Sequence, residues 1–188
     1  MRFKVLILTA LLMFLCLPLA LAAERVAVIV YGDQPEAVAY IKGELRSYFI
    51  TPLPSLVKVY EFVDDKDIAA ARPDNKEVKR DAIRAFAERT QADIVVAAQL
   101  TDYRTRGILS MTGNYIRTTF VAVKYHIYLA KQDRYMTNRL SRYYHDEGFR
   151  YGSPEYLLGD ILDDITEKLR KELPFDPSVI LKQVETAE

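Results

Sequence analysis

A short apolar run followed by a long alternating segment constrains the fold of this chain more than any other feature. The run Ile94–Ala98 is apolar at every position, which is typical of a strand covered on both faces. Within Tyr115–Leu129 the odd positions from Val121 onward are apolar, while the even positions form a mixed second face. The pattern predicts a central buried strand and its antiparallel partner within one sheet.

Three further segments have strand character. Arg25–Tyr31 is apolar and rich in β-branched residues, and Leu56–Phe62 alternates as an outer strand does. Arg139–Tyr151 is rich in tyrosine. After Tyr103 the chain becomes polar and contains glycines before Tyr115, so we expect an excursion there that the core does not need.

Helical spacing and capping residues predict helices that begin near Asp33, Asp64, Asp74 and Ser153. Asp33 and Asp74 are each followed three residues later by glutamate, which is the spacing of a capping box. Ser153 is followed by a proline, which favours the first position of a helix. Gly43 lies inside the first helix and costs about 1 kcal/mol relative to alanine. We expect close packing on the sheet at Gly43.

The predicted order of elements is β-α-β-(α)-α-β-β-β-α. Strands that alternate with helices indicate parallel crossovers, and the closing meander adds antiparallel strands. The sequence therefore predicts an α/β (α+β) fold with a mixed five-stranded sheet. We expect the helices mainly on one face, with one face of the C-terminal meander partly open.

The first 22 residues have the pattern of a signal peptide. Arg2 and Lys4 precede an apolar segment, and Ala20-Leu21-Ala22 is a small-x-small cleavage site. We expect export to the periplasm or the extracellular space, with cleavage after Ala22. An uncleaved anchor and lipidation at Cys16 are the alternatives, although a lipobox requires a small residue where Leu15 stands. Residues 23–174 would then form a single domain, and 175–188 a C-terminal tail.

Charge and cysteine content limit the function of the mature chain. Removing Arg2 and Lys4 from the 26 basic residues leaves 24 against 26 acidic ones, a net charge of −2. Such a charge gives no bulk attraction to nucleic acid, and no later segment is apolar enough for a transmembrane span. Since Cys16 is the only cysteine, the mature chain would have no disulfide and no thiol chemistry.

No motif indicates an enzyme, and we expect no catalytic, cofactor or metal site. His126 and His145 lie on neighbouring predicted strands but lack the further ligands that zinc requires. The acidic groups near Asp64 and Asp160 are typical of solvated helix surfaces, and the turn at Gly32 lacks the additional glycines of a phosphate loop.

Four segments carry a resemblance to a known group of proteins. They are the first strand Arg25–Val30, the central segment Ala87–Thr101, the hairpin Tyr128–Asp133 and the last helix Tyr156–Glu172. Together they resemble bacterial envelope domains, namely the N-terminal domain of TolB, the periplasmic part of CsgG and the outer-membrane activators of penicillin-binding proteins. The resemblance implies a non-catalytic envelope module that works through protein contacts.

The chain also departs from this group. CsgG and the synthase activators carry a lipidated cysteine after their signals, and this chain has none there. TolB continues into a β-propeller, and this chain stops. The segment Tyr103–Tyr115 is shorter than the pore-forming hairpins of CsgG and carries Arg104 and Arg106.

Tyrosine and arginine residues cluster in the C-terminal half and define a candidate interaction surface. Its residues are Tyr103, Arg104, Arg106, Tyr115, Arg117, Arg142, Tyr143, Tyr144 and Tyr151. Interfaces are enriched in these two residue types, so we expect binding of an envelope protein or self-association. A glycan or another small ligand is the alternative ligand for the same surface, and an ordinary solvated sheet face is the alternative without function.

Overall fold

The computed structural model describes residues 23–50, 60–75, 78–109, 115–146 and 152–173. Five strands and four α-helices lie within these ranges. In chain order they are β1 (Glu24–Tyr31), α1 (Pro35–Ile50), β2 (Tyr60–Phe62), α2 (Asp65–Ala71), α3 (Arg80–Thr90), β3 (Ile94–Leu109), β4 (Tyr115–Leu129), β5 (Arg134–Asp146) and α4 (Pro154–Glu172).

The strands form one mixed sheet in the order β2-β1-β3-β4-β5. β1 pairs in parallel with both β2 and β3, whereas β3–β4 and β4–β5 are antiparallel. The predicted mixed five-stranded sheet is therefore confirmed, as are the central strand at Ile94–Ala98 and its antiparallel partner Tyr115–Leu129. β2 lies at the edge, as the alternation predicts.

The two long helices, α1 and α4, cover one face of the sheet, which we call the long-helix face. Its core combines apolar side chains of β1, β3 and β4 with Ile41 and Leu45 of α1 and Ile161 and Ile165 of α4, all fully or almost fully buried. Ser153 caps α4, because its hydroxyl accepts a hydrogen bond from the backbone N–H of Tyr156. The predicted placement of the helices mainly on one face holds for the two long helices, whereas the two short ones lie on the opposite face.

The two short helices, α2 and α3, pack on the opposite face, which we call the short-helix face. Ile83 and Phe86 of α3 and Ile68 of α2 contact Ala27, Ile29, Val95 and Ala97 of the central strands there. This smaller core covers β1 and the first part of β3. The distal part of the meander extends beyond it and leaves its short-helix face open, as the sequence predicts.

A β-bulge in β3 decides which side chains reach the open part. Leu100 pairs with Val123, but Asp102 pairs with Ala122, so Thr101 is the extra residue. Before the bulge the even-numbered residues of β3 point to the long-helix face. After the bulge the odd-numbered ones do, and Asp102, Arg104 and Arg106 lie on the short-helix face.

Three local predictions are wrong. Tyr103–Leu109 is not an excursion, because β3 continues through it and pairs with β4. The third helix begins at Arg80 and not after Asp74, and Lys79 at its N-cap makes no side-chain capping bond. Gly43 is exposed, and a Cβ added to it would have no neighbour within 4 Å, so close packing does not explain this glycine.

Several expectations concern residues outside the described ranges. These are the signal peptide, the tail 175–188, the first part of the segment Leu56–Phe62 and the end of the segment Arg139–Tyr151. In the described part of the chain, no helix combines the length and the apolar character that a membrane crossing needs.

Candidate interaction surface

The open part of the short-helix face is a shallow groove across the distal strands. It has a volume of about 200 Å³ and is lined by Arg104 and Arg106 of β3, Thr118 and Phe120 of β4, and Tyr143 of β5. Phe120 pairs with Arg104 on one side and with Tyr143 on the other, so the three side chains form one row across the sheet. We call this set the groove residues.

Contacts among neighbours hold the groove residues in place. The Arg104 guanidinium lies 5.5 Å from the centre of the Phe120 ring and 3.1 Å from a carboxylate oxygen of Asp102. The rings of Tyr143 and His145 stack with 6.3 Å between their centres, and His145 Nδ1 lies 3.1 Å from the Thr118 hydroxyl. Tyr143 is nevertheless 62% exposed, so a large aromatic surface remains free for contact.

Positive charge dominates this surface. Lys124 and Arg139 lie directly opposite each other on β4 and β5, a like-charge pair that destabilises a sheet. Within the described ranges neither side chain has an ion-pair partner, and neither does Arg106. Among the described residues, Asp102 is the carboxylate that lies on this face with the four cations, and it pairs with Arg104.

The predicted tyrosine and arginine cluster is divided between the two faces. Arg104, Arg106 and Tyr143 share the groove, whereas Tyr103, Arg117, Arg142 and Tyr144 pair with β-strand neighbours on the long-helix face. The side chain of Tyr115 and all of Tyr151 lie outside the described residues. The structure therefore brings together three of the nine predicted residues on the open face.

The residues on the long-helix face contact α4. Arg142 forms ion pairs with Asp160 and Asp164, the latter at 2.5 Å. The Tyr103 hydroxyl donates a hydrogen bond to Glu155 at 3.0 Å. Burial, then this hydrogen bond, then the charges of Glu155 and Glu36 raise the pKa of Tyr103 to about 12. These contacts dock the last helix on the sheet and leave the side chains little freedom to bind a partner.

A row of carboxylates on the two long helices was not recognised in the sequence. Glu36, Tyr40 and Glu44 recur every four residues along α1, and Glu155, Gly159 and Asp163 recur in the same way along α4. The Tyr40 hydroxyl would lie 3.6 Å from a Cβ added at Gly159, so the two rows face each other. Burial, then the charges of Glu44 and Asp163, raise the pKa of Tyr40. We call Glu36, Tyr40, Glu44, Glu155 and Asp163 the acidic seam. Helical spacing signals each row, but nothing in the sequence indicates that the rows adjoin.

His126 occupies a buried polar network at the end of the short-helix core. Its Nδ1 lies 2.6 Å from the Tyr135 hydroxyl, and its Nε2 lies 3.0 Å from Oε1 of Gln99. The Gln99 amide nitrogen donates to both oxygens of Asn75, which fixes Oε1 as the acceptor that faces His126. Burial, and to a lesser extent the charge of Lys124, lower the pKa of His126 to about 4.

The two histidines do not form a common site. His126 pairs with Thr137 and His145 with Thr118, so they lie eight residues apart along the same strand pair. Among the residues that the structure describes, no three His, Cys, Asp or Glu side chains are grouped so that they could hold a metal ion.

Comparison with known proteins gives structural likeness only. No protein-family model and no curated protein matches the sequence. Solved structures that match include lipoprotein GNA1162 from Neisseria meningitidis, which is 12% identical in sequence and has a TM-score of 0.42. The match covers 79% of this chain and 99% of that one. The protein CT253 from Chlamydia trachomatis is 14% identical, with coverages of 77% and 96% and a TM-score of 0.42. The C-terminal domain of LpoB from Salmonella enterica is 12% identical, with coverages of 64% and 83% and a TM-score of 0.37.

Bacterial lipoproteins are thus among the structures to which this chain is similar. The finer resemblance to TolB, CsgG and the synthase activators has no family model behind it. Identities and TM-scores this low do not transfer an activity from one chain to another.

Proposed function

We propose that this protein is an exported, non-enzymatic module that binds a protein of the cell envelope, or a second copy of itself, through the groove residues. The observation that carries the proposal is the uncovered short-helix face of the distal meander. Three arginine and tyrosine side chains and Phe120 converge there, whereas helices cover the long-helix face and the short-helix face of β1 and the first part of β3. Aromatic and arginine side chains in one partly desolvated cluster are typical of the residues that dominate binding energy at interfaces.

The form of the groove favours a macromolecular partner over a small ligand. A volume of about 200 Å³ is below the range of roughly 300–1,000 Å³ that is usual for small-molecule sites. A flat, exposed row of side chains suits a protein surface better, because such a surface can contact Tyr143 and the arginines at the same time. In the described part of this surface four cations face one carboxylate, and this excess of positive charge favours a partner that presents acidic groups.

Site-specific photocrosslinking tests the proposal. A photoreactive phenylalanine analogue is placed at Tyr143, in the groove, or at Ala85, an exposed position on α3. In cells that produce the protein natively, we expect a discrete crosslinked product from position 143 and none from position 85. Mass spectrometry then identifies the partner.

A variant of the groove serves as the second test in this experiment. Arg104→Glu combined with Arg106→Glu reverses the charge of the groove without touching either core. We expect it to abolish the product from position 143 while the melting temperature stays close to that of the wild type. Equal crosslinking from positions 143 and 85, or a product that survives the charge reversal, would contradict the proposed surface.

A further inference from the structure

We infer that the partner of the groove is the acidic seam of a second copy of this chain, so that copies associate front to back. This inference rests on the proposed function and names the partner of that site. It is carried by two surfaces of opposite charge that the fold places on opposite faces of one sheet.

The first surface is the groove with its cationic margin. Arg104 and Arg106 lie within it, and Lys124 and Arg139 extend the positive charge along the same face. Two like charges placed directly opposite each other cost stability in an isolated sheet, and an anionic surface docked over them removes that cost. Tyr143 stands beside these cations and supplies apolar contact area.

The second surface is the acidic seam. None of Glu36, Glu44 and Asp163 forms an ion pair with a described residue, although the neighbouring carboxylates of Asp160, Asp164 and Glu167 on α4 all do. Among the described residues, the charge of Arg117 acts on the seam at Glu155, where it contributes to a lowered pKa. The seam therefore retains a net negative charge.

The seam also offers aromatic surface to the groove. Tyr40 is 43% exposed, and its hydroxyl lies beside Gly159, where an added Cβ would be 3.6 Å away. Tyr156 is 61% exposed near the start of α4, close to Glu155. Carboxylates with tyrosines between them complement a surface of arginines with a tyrosine and a phenylalanine.

The positions of the two surfaces determine the kind of assembly. The seam lies on helices that cover the long-helix face, and the groove lies on the short-helix face. A contact between them joins different patches on the two copies, so it is heterologous and leaves one free groove and one free seam at the ends. Association therefore continues beyond a dimer, into a closed ring or an open stack.

Sedimentation of the purified protein tests the inference. We expect the weight-average mass of the wild type to rise with protein concentration at about 50 mM salt. It should fall towards that of the monomer at about 300 mM salt, where charge attraction is screened. Two charge-reversal variants are compared, Arg104→Glu/Arg106→Glu in the groove and Glu44→Lys/Asp163→Lys in the seam. Each should weaken self-association by about tenfold or more.

A mixture of the two charge-reversal variants is the decisive experiment. In a mixture of the two variants, the acidic groove of the groove variant meets the basic seam of the seam variant. The unmodified groove of the seam variant likewise meets the unmodified seam of the groove variant. Association should therefore return. Lys66→Glu/Lys79→Glu changes the net charge by the same amount as the groove variant at exposed positions outside both surfaces, and it should behave as the wild type.

The outcomes separate this inference from the proposed function. A wild type that stays monomeric at every concentration, or reversal variants that associate as the wild type does, would overturn the inference. If position 143 then crosslinks to a different protein in cells, the groove is an interface for that protein and the proposed function stands. If it crosslinks to nothing, both fail.

Discussion

The buried histidine makes the stability of this fold depend on pH in a way that the structure specifies. His126 is 1% exposed, and its hydrogen bonds suit the neutral ring. Nε2–H donates to Gln99, and Nδ1 accepts from the Tyr135 hydroxyl. Protonation adds a donor at Nδ1, so the Tyr135 hydroxyl must turn from donor to acceptor. It does so in a site where burial opposes charge and the charge of Lys124 adds repulsion.

The sign and size of the effect follow from the two pKa values. In the unfolded chain the ring has its ordinary pKa of 6.5, and in the folded protein the pKa is lowered to about 4. As the pH falls below about 6.5 the unfolded chain binds a proton that the folded protein does not, so stability decreases until the folded pKa is reached. Between about pH 7.5 and about pH 4.5, His126 should remove about 2–3 kcal/mol from the free energy of unfolding.

Urea denaturation across this pH range, on the wild type and on His126→Gln, measures the effect. The substitution is expected to lower stability at every pH, because it disturbs the network, so the informative quantity is the difference between the two curves. Carboxylates titrate in both proteins and cancel in that difference. The variant should lose about 2–3 kcal/mol less than the wild type on acidification.

His145→Gln is the matched control. This second histidine is exposed on β5, so its replacement removes a histidine from the chain without disturbing the buried network. Parallel curves for the wild type and His126→Gln would refute the reasoning, because they would mean that His126 titrates alike in the folded and unfolded states.

Four further substitutions test the packing and the division between the two faces. Gly152→Ala should lower the free energy of unfolding by about 1–3 kcal/mol, because the new Cβ would lie 2.0 Å from the Tyr144 ring, and an unchanged melting curve would contradict this. Gly43→Ala adds the same methyl group in open space and should raise stability by about 1 kcal/mol in the same assay, so a loss would be the contrary result. Val96→Asp should prevent cooperative folding, because Val96 is fully buried; a soluble variant that melts cooperatively would show otherwise. Arg142→Gln should lower the free energy of unfolding by no more than about 1 kcal/mol, since its two aspartate partners are exposed. It should also leave crosslinking from position 143 intact. Loss of that crosslink would place part of the interface on the long-helix face.

Much of the fold could be predicted because the spacing of apolar residues along the sequence matches the repeat of the helix or strand that each segment forms. The apolar run at Ile94–Ala98 is a strand buried on both faces, and the odd positions of β4 from Val121 face the long helices. Ser153 and Asp64 both accept the capping hydrogen bonds that their positions predict.

The boundaries that failed are those where tertiary pairing overrides local composition. Tyr103–Leu109 is polar and contains a glycine, yet it is a strand because β4 pairs with it along its whole length. Asp74 has capping-box spacing, but the helix begins only at Arg80. Side-chain chemistry alone does not reveal whether a neighbouring strand supplies the backbone hydrogen bonds.

The candidate surface shows the same division between sequence and structure. The sequence by itself determined which residue types are available: the tyrosines, the arginines and an alternating pattern that places neighbours on opposite faces. The tertiary structure decided which of them meet. Without the bulge at Thr101, Arg104 and Arg106 would follow Leu100 onto the long-helix face. One extra residue in β3 reverses the alternation, carries both arginines to the open face beside Phe120 and Tyr143, and leaves Tyr103 against the last helix.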